Sequence, residues 1–312
     1  MQKLNYFFIS FFLLILGCQK QKESEVDQLK VYSETSEVEQ EIESSEADLA
    51  PRDDCPEGYL KIAANLDLGT APFCVMKYEA RQDQFGRPVS RPENLPWTNI
   101  TQIQAKQRCQ ALGARFDLIS NPEWVAIARD IESVDKNWSE GEVGRGHLPK
   151  GWSGHSAWNT QWVSNLDPTT APSTEDCEYN LHGSVCASSG DHMYRRTLYL
   201  SSGRKIWDFV GNTWNWVDWT IGGDLESGPR DCPEEWKSIE QFECSSLSIQ
   251  DIGPSASEIK VSLGYGQVYG GSGGAALRGG PRPWFASGPF ALILAAMPDG
   301  AGDFFGFRCA RR

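Results

Sequence analysis

The chain has 312 residues, 40% of them hydrophobic, and a formal net charge of −13 at pH 7. An acidic chain without a basic stripe argues against nucleic acid and anionic lipid as partners. Its length allows one large domain or two small ones once the N-terminal segments are set aside.

Residues 1–18 read as a targeting segment: Lys3 is basic, and residues 5–16 are almost wholly apolar and uncharged. That run falls short of the ~20 apolar residues that span a bilayer. It ends in Ile15-Leu16-Gly17-Cys18, which resembles a lipobox, in which the Cys is acylated and becomes the new N-terminus. Two or three acyl chains anchor stably where one binds marginally. The expectation is a bacterial envelope lipoprotein held through Cys18. Gln19, in place of the Asp associated with inner-membrane retention, favours the outer membrane. Residues 19–54 hold twelve acids, four bases, and no Trp or Phe. Such a segment buries too little apolar area to offset its ordering entropy, so it is expected to be a disordered acidic tether.

Residues 55–312 then form one domain with a net charge of −6. Alternating apolar residues predict strands at 59–62 and 73–78. Residues 100–112 predict an amphipathic helix, with Thr101 and Gln104 as a capping box and Gly113 where it stops. A second helix starts at Ser120-Asn121-Pro122-Glu123, again a capping box with Pro in the first turn, and buries Trp124, Ile127, Ala128 and Ile131. Periodicity disappears over 137–203, which is expected to be loop. Strand patterns return at 204–207, 215–219 and 304–309. Residues 236–274 read as an insertion with a short helix at 257–263.

Setting Cys18 aside, eight cysteines remain, an even number suited to disulfides in an oxidising compartment. Eight cysteines allow 105 connectivities. Proximity favours Cys55–Cys74, Cys177–Cys186 and Cys232–Cys244, which leaves Cys109 and Cys309 to close the domain end to end. No CxxC occurs.

Four segments in order resemble the formylglycine-generating enzyme (sulfatase-modifying factor) family, over roughly residues 60–312. The first is Phe73-Cys74-Val75-Met76-Lys77-Tyr78-Glu79. The second runs from Pro96-Trp97 through Cys109 and Gly113 to Glu123-Trp124 and Ala128-Arg129. The third is Trp207-Asp208-Phe209-Val210-Gly211-Asn212-Thr213-Trp214-Asn215-Trp216. The fourth comprises Leu277-Arg278-Gly279-Gly280 and Gly306-Phe307-Arg308-Cys309-Ala310. The resemblance implies an α+β domain, a formylglycine-generating-enzyme-like variant of the C-type-lectin-like fold, disulfide-stapled and low in regular secondary structure. It also implies a Cys109–Cys309 bridge.

Active members of that family bind copper(I) through two cysteines beyond Arg-Gly-Gly, soft ligands for a soft ion. Counted from Arg278-Gly279-Gly280, those positions are Trp284 and Pro289, and no Cys lies between Cys244 and Cys309. No copper is therefore expected. The histidines His147, His155, His182 and His192 form no short-spaced pair. The family's structural Ca2+ would use carbonyls at Asp208, Gly211 and Thr213, with Asn215 replacing a carboxylate; the lost charge weakens such a site, and Asp208 or Asp218 is expected to compensate. The leading expectation is a non-catalytic envelope module binding a protein or glycan, with Arg278, Trp284 and the 144–162 loop along a vestigial groove. Lectin-like sugar determinants are absent, and Trp158-Asn159-Thr160 matches one only in part. The alternative is an oxidoreductase of the wider family that uses residues other than the copper pair.

Overall fold

The computed structural model describes residues 55–92, 95–151, 192, 195–220, 232–244, 247–255, 264–271, 274–280 and 286–312. Cys18 with its targeting segment, the acidic segment 19–54, Cys177 and Cys186, His155 and His182, Trp158-Asn159-Thr160, the 257–263 helix and Trp284 lie outside them.

Two helices form where their caps predict. In α1 (Gln102–Gln110), the Gln104 amide donates to the Thr101 hydroxyl and the Thr101 amide to the Gln104 side chain, both at 3.1 Å. In α2 (Asn121–Glu132), Ser120 and Glu123 repeat the reciprocal pair. Each cap satisfies donors that the first turn would otherwise leave open, worth about 1 kcal/mol. Trp124, Ile127, Ala128 and Ile131 are fully buried, so the predicted stripe does face the core. Burial of a large apolar side chain contributes roughly 1.5–3 kcal/mol. The Trp124 indole adds a hydrogen bond to the Pro289 carbonyl at 2.9 Å and stacks on Phe209 with ring centres 4.0 Å apart. Among the described residues no helix is long and apolar enough to cross a membrane.

The strands are short and numerous. β1 (Tyr59–Ile62) and β2 (Phe73–Met76) are antiparallel, and β2 also pairs with β14 (Cys309–Arg311), which pairs in turn with β5 (Phe116–Leu118). A second sheet has six strands, in the order Phe305–Phe307 (β13), Trp214–Thr220 (β8), Ala275–Arg278 (β11), Leu292–Ala296 (β12), Gln267–Tyr269 (β10) and Trp236–Ser238 (β9). Two ribbons complete the set: β3 (Arg81–Gln82) with β4 (Pro88–Val89), and β6 (Thr197–Tyr199) with β7 (Lys205–Trp207). All residues of β2 and β11 are buried. Flanked on both edges and covered on both faces, they lose the alternation that marks a half-exposed strand. A third helix, α3 (Ile249–Ile252), packs against α2.

The expected 236–274 insertion therefore supplies sheet: β9 and β10 form one edge of the six-stranded layer. Likewise the 137–203 region contains β6, because the β6–β7 hairpin is selected by pairing with residues 205–207 rather than by its own periodicity.

The last strands join the layers. β13 lies parallel to β8, β14 lies in the other sheet, and Arg308 alone separates them. Three bridges staple the described residues: Cys55–Cys74, Cys109–Cys309 and Cys232–Cys244. Cys109–Cys309 ties α1 to the first residue of β14 across 200 positions.

Candidate functional site

The Trp207–Trp216 stretch is a loop that enters β8. Asp208 and Asn212 take left-handed backbone conformations, at φ of 50° and 58°, which Asp and Asn tolerate better than most residues. The loop closes around Glu79, just beyond β2. The Glu79 carboxylate accepts from the Thr213 amide (3.2 Å), the Thr213 hydroxyl (2.5 Å), the Asn215 side-chain amide (3.3 Å) and the Asn212 side chain. Complete burial raises the Glu79 pKa, and the charge of Asp208 adds to the rise; Arg308, the Thr213 hydroxyl and Arg81 oppose it.

Asp208 holds Arg196 in a two-point pair, with Nε to Oδ1 at 2.7 Å and Nη2 to Oδ2 at 2.6 Å. The β6–β7 hairpin sets Thr197 opposite Trp207, so the residues one step outside it, Arg196 and Asp208, also face each other. Arg308 donates from Nη2 to the carbonyls of Asp208 (2.7 Å) and Trp207, and from Nη1 to that of Met76 (3.2 Å). Arg81 donates to the Glu79 carbonyl at 2.7 Å. Two carboxylates thus lie among three buried guanidiniums.

The calcium expectation does not fit this arrangement. The Asp208 carbonyl accepts from a guanidinium, its carboxylate is occupied by Arg196, and the Thr213 carbonyl accepts from the Asn215 amide at 3.2 Å. Asp218, the other carboxylate expected to compensate, forms an ion pair with Lys106. Of the side-chain oxygens in the set, Asn215 Oδ1 is left unpartnered, and the two carboxylates nearby are already matched by three guanidiniums. Gly211 supplies backbone conformation, with φ of 79°. Among the described residues no group of three or more His, Cys, Asp or Glu is placed to hold a metal.

Arg278 is corrected as a groove residue. It is fully buried, donating to Asn121 Oδ1 (3.0 and 2.5 Å) and to the carbonyls of Ile252 (3.2 Å) and Phe290 (3.1 Å). Burial pushes its pKa down to about 9 without a neighbouring carboxylate to restore it, and it stays charged at neutral pH. Gly279, beside it, has a φ of 89°, and a Cβ there would lie 2.8 Å from the Phe209 carbonyl. Its place beside Arg278 is therefore explained by close packing. Pro289, at the other copper position, offers its carbonyl to Trp124.

Two features escaped the linear reading. His147 and His192, 45 positions apart, come together with ring centres separated by 5.8 Å, and His192 Nε2 lies 2.7 Å from the Asn137 carbonyl. The larger feature is an open groove of about 730 Å³. Its walls come from the start of β1 (Pro56, Tyr59), the end of β2 (Lys77, Tyr78), the β4 edge (Pro88 to Pro92), the α1–β5 connection (Leu112, Phe116) and the tip of the β6–β7 hairpin (Arg204). The Trp207 amide donates to the Lys77 carbonyl at 3.0 Å, which draws that hairpin against β2. Lys77 and Tyr78 were visible in the Phe73–Glu79 run, whereas Phe116 and Arg204 carried no signal of a site; their convergence depends on sheet order.

Compared with known proteins, the chain matches no family profile and no curated protein. Among solved structures it is similar to the Major Tropism Determinant I1 Variant, at a TM-score of 0.40 and 12% identity over 82% of this chain and 53% of that one. It is similar too to the P3c Variant (0.39, 12%, 82% and 53%) and the M1 Variant (0.38, 13%, 82% and 52%). The chain spans about half the length of these structures. Similarity at that level leaves function to be argued from the residues themselves.

Proposed function

We propose that this chain is a bacterial envelope lipoprotein, anchored through Cys18 at the outer membrane, whose sulfatase-modifying-factor-like domain is a non-catalytic module that binds a protein or glycan. The four-segment resemblance supports the domain reading, and the three bridges suit an oxidising compartment.

The observation that carries the binding reading is the groove beside β1 and β2. Its volume lies within the ~300–1,000 Å³ range of ligand pockets. Its described lining contains no thiol, no imidazole and only one carboxylate, Glu57. Its one aliphatic hydroxyl, Ser90, donates to the Gly58 carbonyl at 2.6 Å and accepts from the Tyr78 amide at 3.2 Å. A serine whose hydroxyl is committed to two backbone groups is not free to act as a nucleophile.

The test is an array of envelope glycans and purified outer-membrane proteins, probed with the full-length chain and with Val89→Trp, which fills the groove. Binding that is lost in the variant, with thermal unfolding unchanged, supports the reading. No binding on the array, or stoichiometric copper or iron in the purified protein, counts against it. A Cys18→Ala chain that stays in the membrane fraction would remove the anchor.

A further inference from the structure

We propose that the groove bounded by Lys77, Arg91 and Arg204 takes a small ligand carrying one oxyanion group, a carboxylate, sulfate or phosphate, on a compact ring body. This rests on the groove being the binding site of the module.

Lys77, Arg91 and Arg204 line the groove with one carboxylate, Glu57, which is exposed at its edge. None of the three cations has a carboxylate partner among the described residues. Lys77 instead lies over the Tyr78 ring, 5.2 Å from its centre. Burial lowers its pKa first, and the nearby positive charges of Arg204 and Lys205 lower it further. Other basic side chains at the surface do meet acids, Arg312 with Glu123 at 2.7 Å and Arg87 with Asp83 at 2.9 Å, while buried Arg278 is saturated by neutral oxygens. Cations gathered in a concave surface of low polarity raise the local concentration of anions.

Tyr59 is buried (7% exposed), lines the same groove, and its hydroxyl has no hydrogen-bond partner. Its ring is held edge-on by Phe116 at 5.9 Å. The Nε of Arg91 is likewise buried without a partner. A buried donor without an acceptor carries the full desolvation penalty. Two such donors in one groove, beside uncompensated cations, mark a place where an acceptor-rich anion would satisfy all of them together. The Tyr78 and Phe116 rings and Pro56, Pro88 and Pro92 supply apolar walls for the body of the ligand. The volume suits one or two sugar-sized rings better than an extended acidic peptide.

The experiment is calorimetric titration of the full-length chain, in a non-ionic detergent at constant ionic strength, with glucuronate, sulfate, inorganic phosphate, glucose and a short poly-glutamate peptide. Saturable binding of glucuronate and at least one inorganic anion is expected, with none for glucose. Lys77→Gln and Arg204→Gln should each weaken it about tenfold, and Tyr59→Phe about fivefold. Tyr59→Phe keeps the ring packing, so its fold is secure and its effect is on binding alone. Equal binding of glucose and glucuronate would overturn the anion assignment while leaving the groove a binding site. Anion binding indifferent to Lys77→Gln and Arg204→Gln, binding of poly-glutamate only, or no binding of any probe would each overturn it as well. Failure of the module itself is read separately, from the Val89→Trp array.

Discussion

In the interior, Glu79 and Asp208 meet Arg81, Arg196 and Arg308, and every carboxylate oxygen accepts a hydrogen bond. Along the groove, Lys77, Arg91 and Arg204 face a single exposed acid. The first arrangement is what burial demands of charge: desolvation is offset only where partners are fixed and saturated. The second is tolerated because the charges are only partly withdrawn from solvent: Lys77 and Arg91 are half-buried and Arg204 is exposed. Charged residues in the same chain thus separate into those saturated by fixed partners and those without a carboxylate partner among the described residues, and it is to the second set that the proposed ligand is assigned.

Breaking the frame of the interior should have the largest effect. Cys109→Ala with Cys309→Ala frees the strand next to Arg308 and should lower unfolding free energy by up to about 5 kcal/mol, the chain-entropy value for a 200-residue loop. Urea unfolding measures it, and a loss below about 1 kcal/mol would show that the sheets hold β14 without the bridge. Asp208→Asn should come next, at about 3–5 kcal/mol, because Arg196 stays buried without its counter-charge while Asn still tolerates the left-handed backbone. A cost no larger than that of Lys77→Gln would erase the distinction between the two regions.

Glu79 sharpens it by pH. Its folded pKa is raised above the ordinary 4.5, so between that value and the raised one the folded protein binds a proton that the unfolded chain releases. Stability from this group therefore increases as pH falls through the raised pKa, and is lost as pH rises through it. Thermal unfolding of the native chain should improve relative to Glu79→Gln on acidification through that window; parallel curves would contradict the raised pKa. The smallest effect belongs to the groove. Tyr59→Phe removes an unpartnered hydroxyl and should leave stability unchanged or raise it by under ~1 kcal/mol, where an equivalent deletion in the interior is destabilising.

The sequence by itself determined what neighbours within a few residues decide. Both capping boxes, the buried stripe of α2 and the bounds of β1 follow from interactions spanning at most a turn or an alternation of side chains. The staples Cys55–Cys74 and Cys232–Cys244 were favoured by proximity along the chain. The Lys77-Tyr78-Glu79 and Trp207–Trp216 runs were visible as motifs, and the loop that closes on Glu79 joins them across more than 130 positions. Only the tertiary structure decided what they do. Glu79 occupies that loop, Arg278 is sealed beneath α2 rather than lining a groove, and residues 236–238 and 267–269 are sheet edge rather than insertion. Partners of this kind are chosen by strand order and register, and a side chain's polarity is silent about whether its partner will be another residue, water or a ligand.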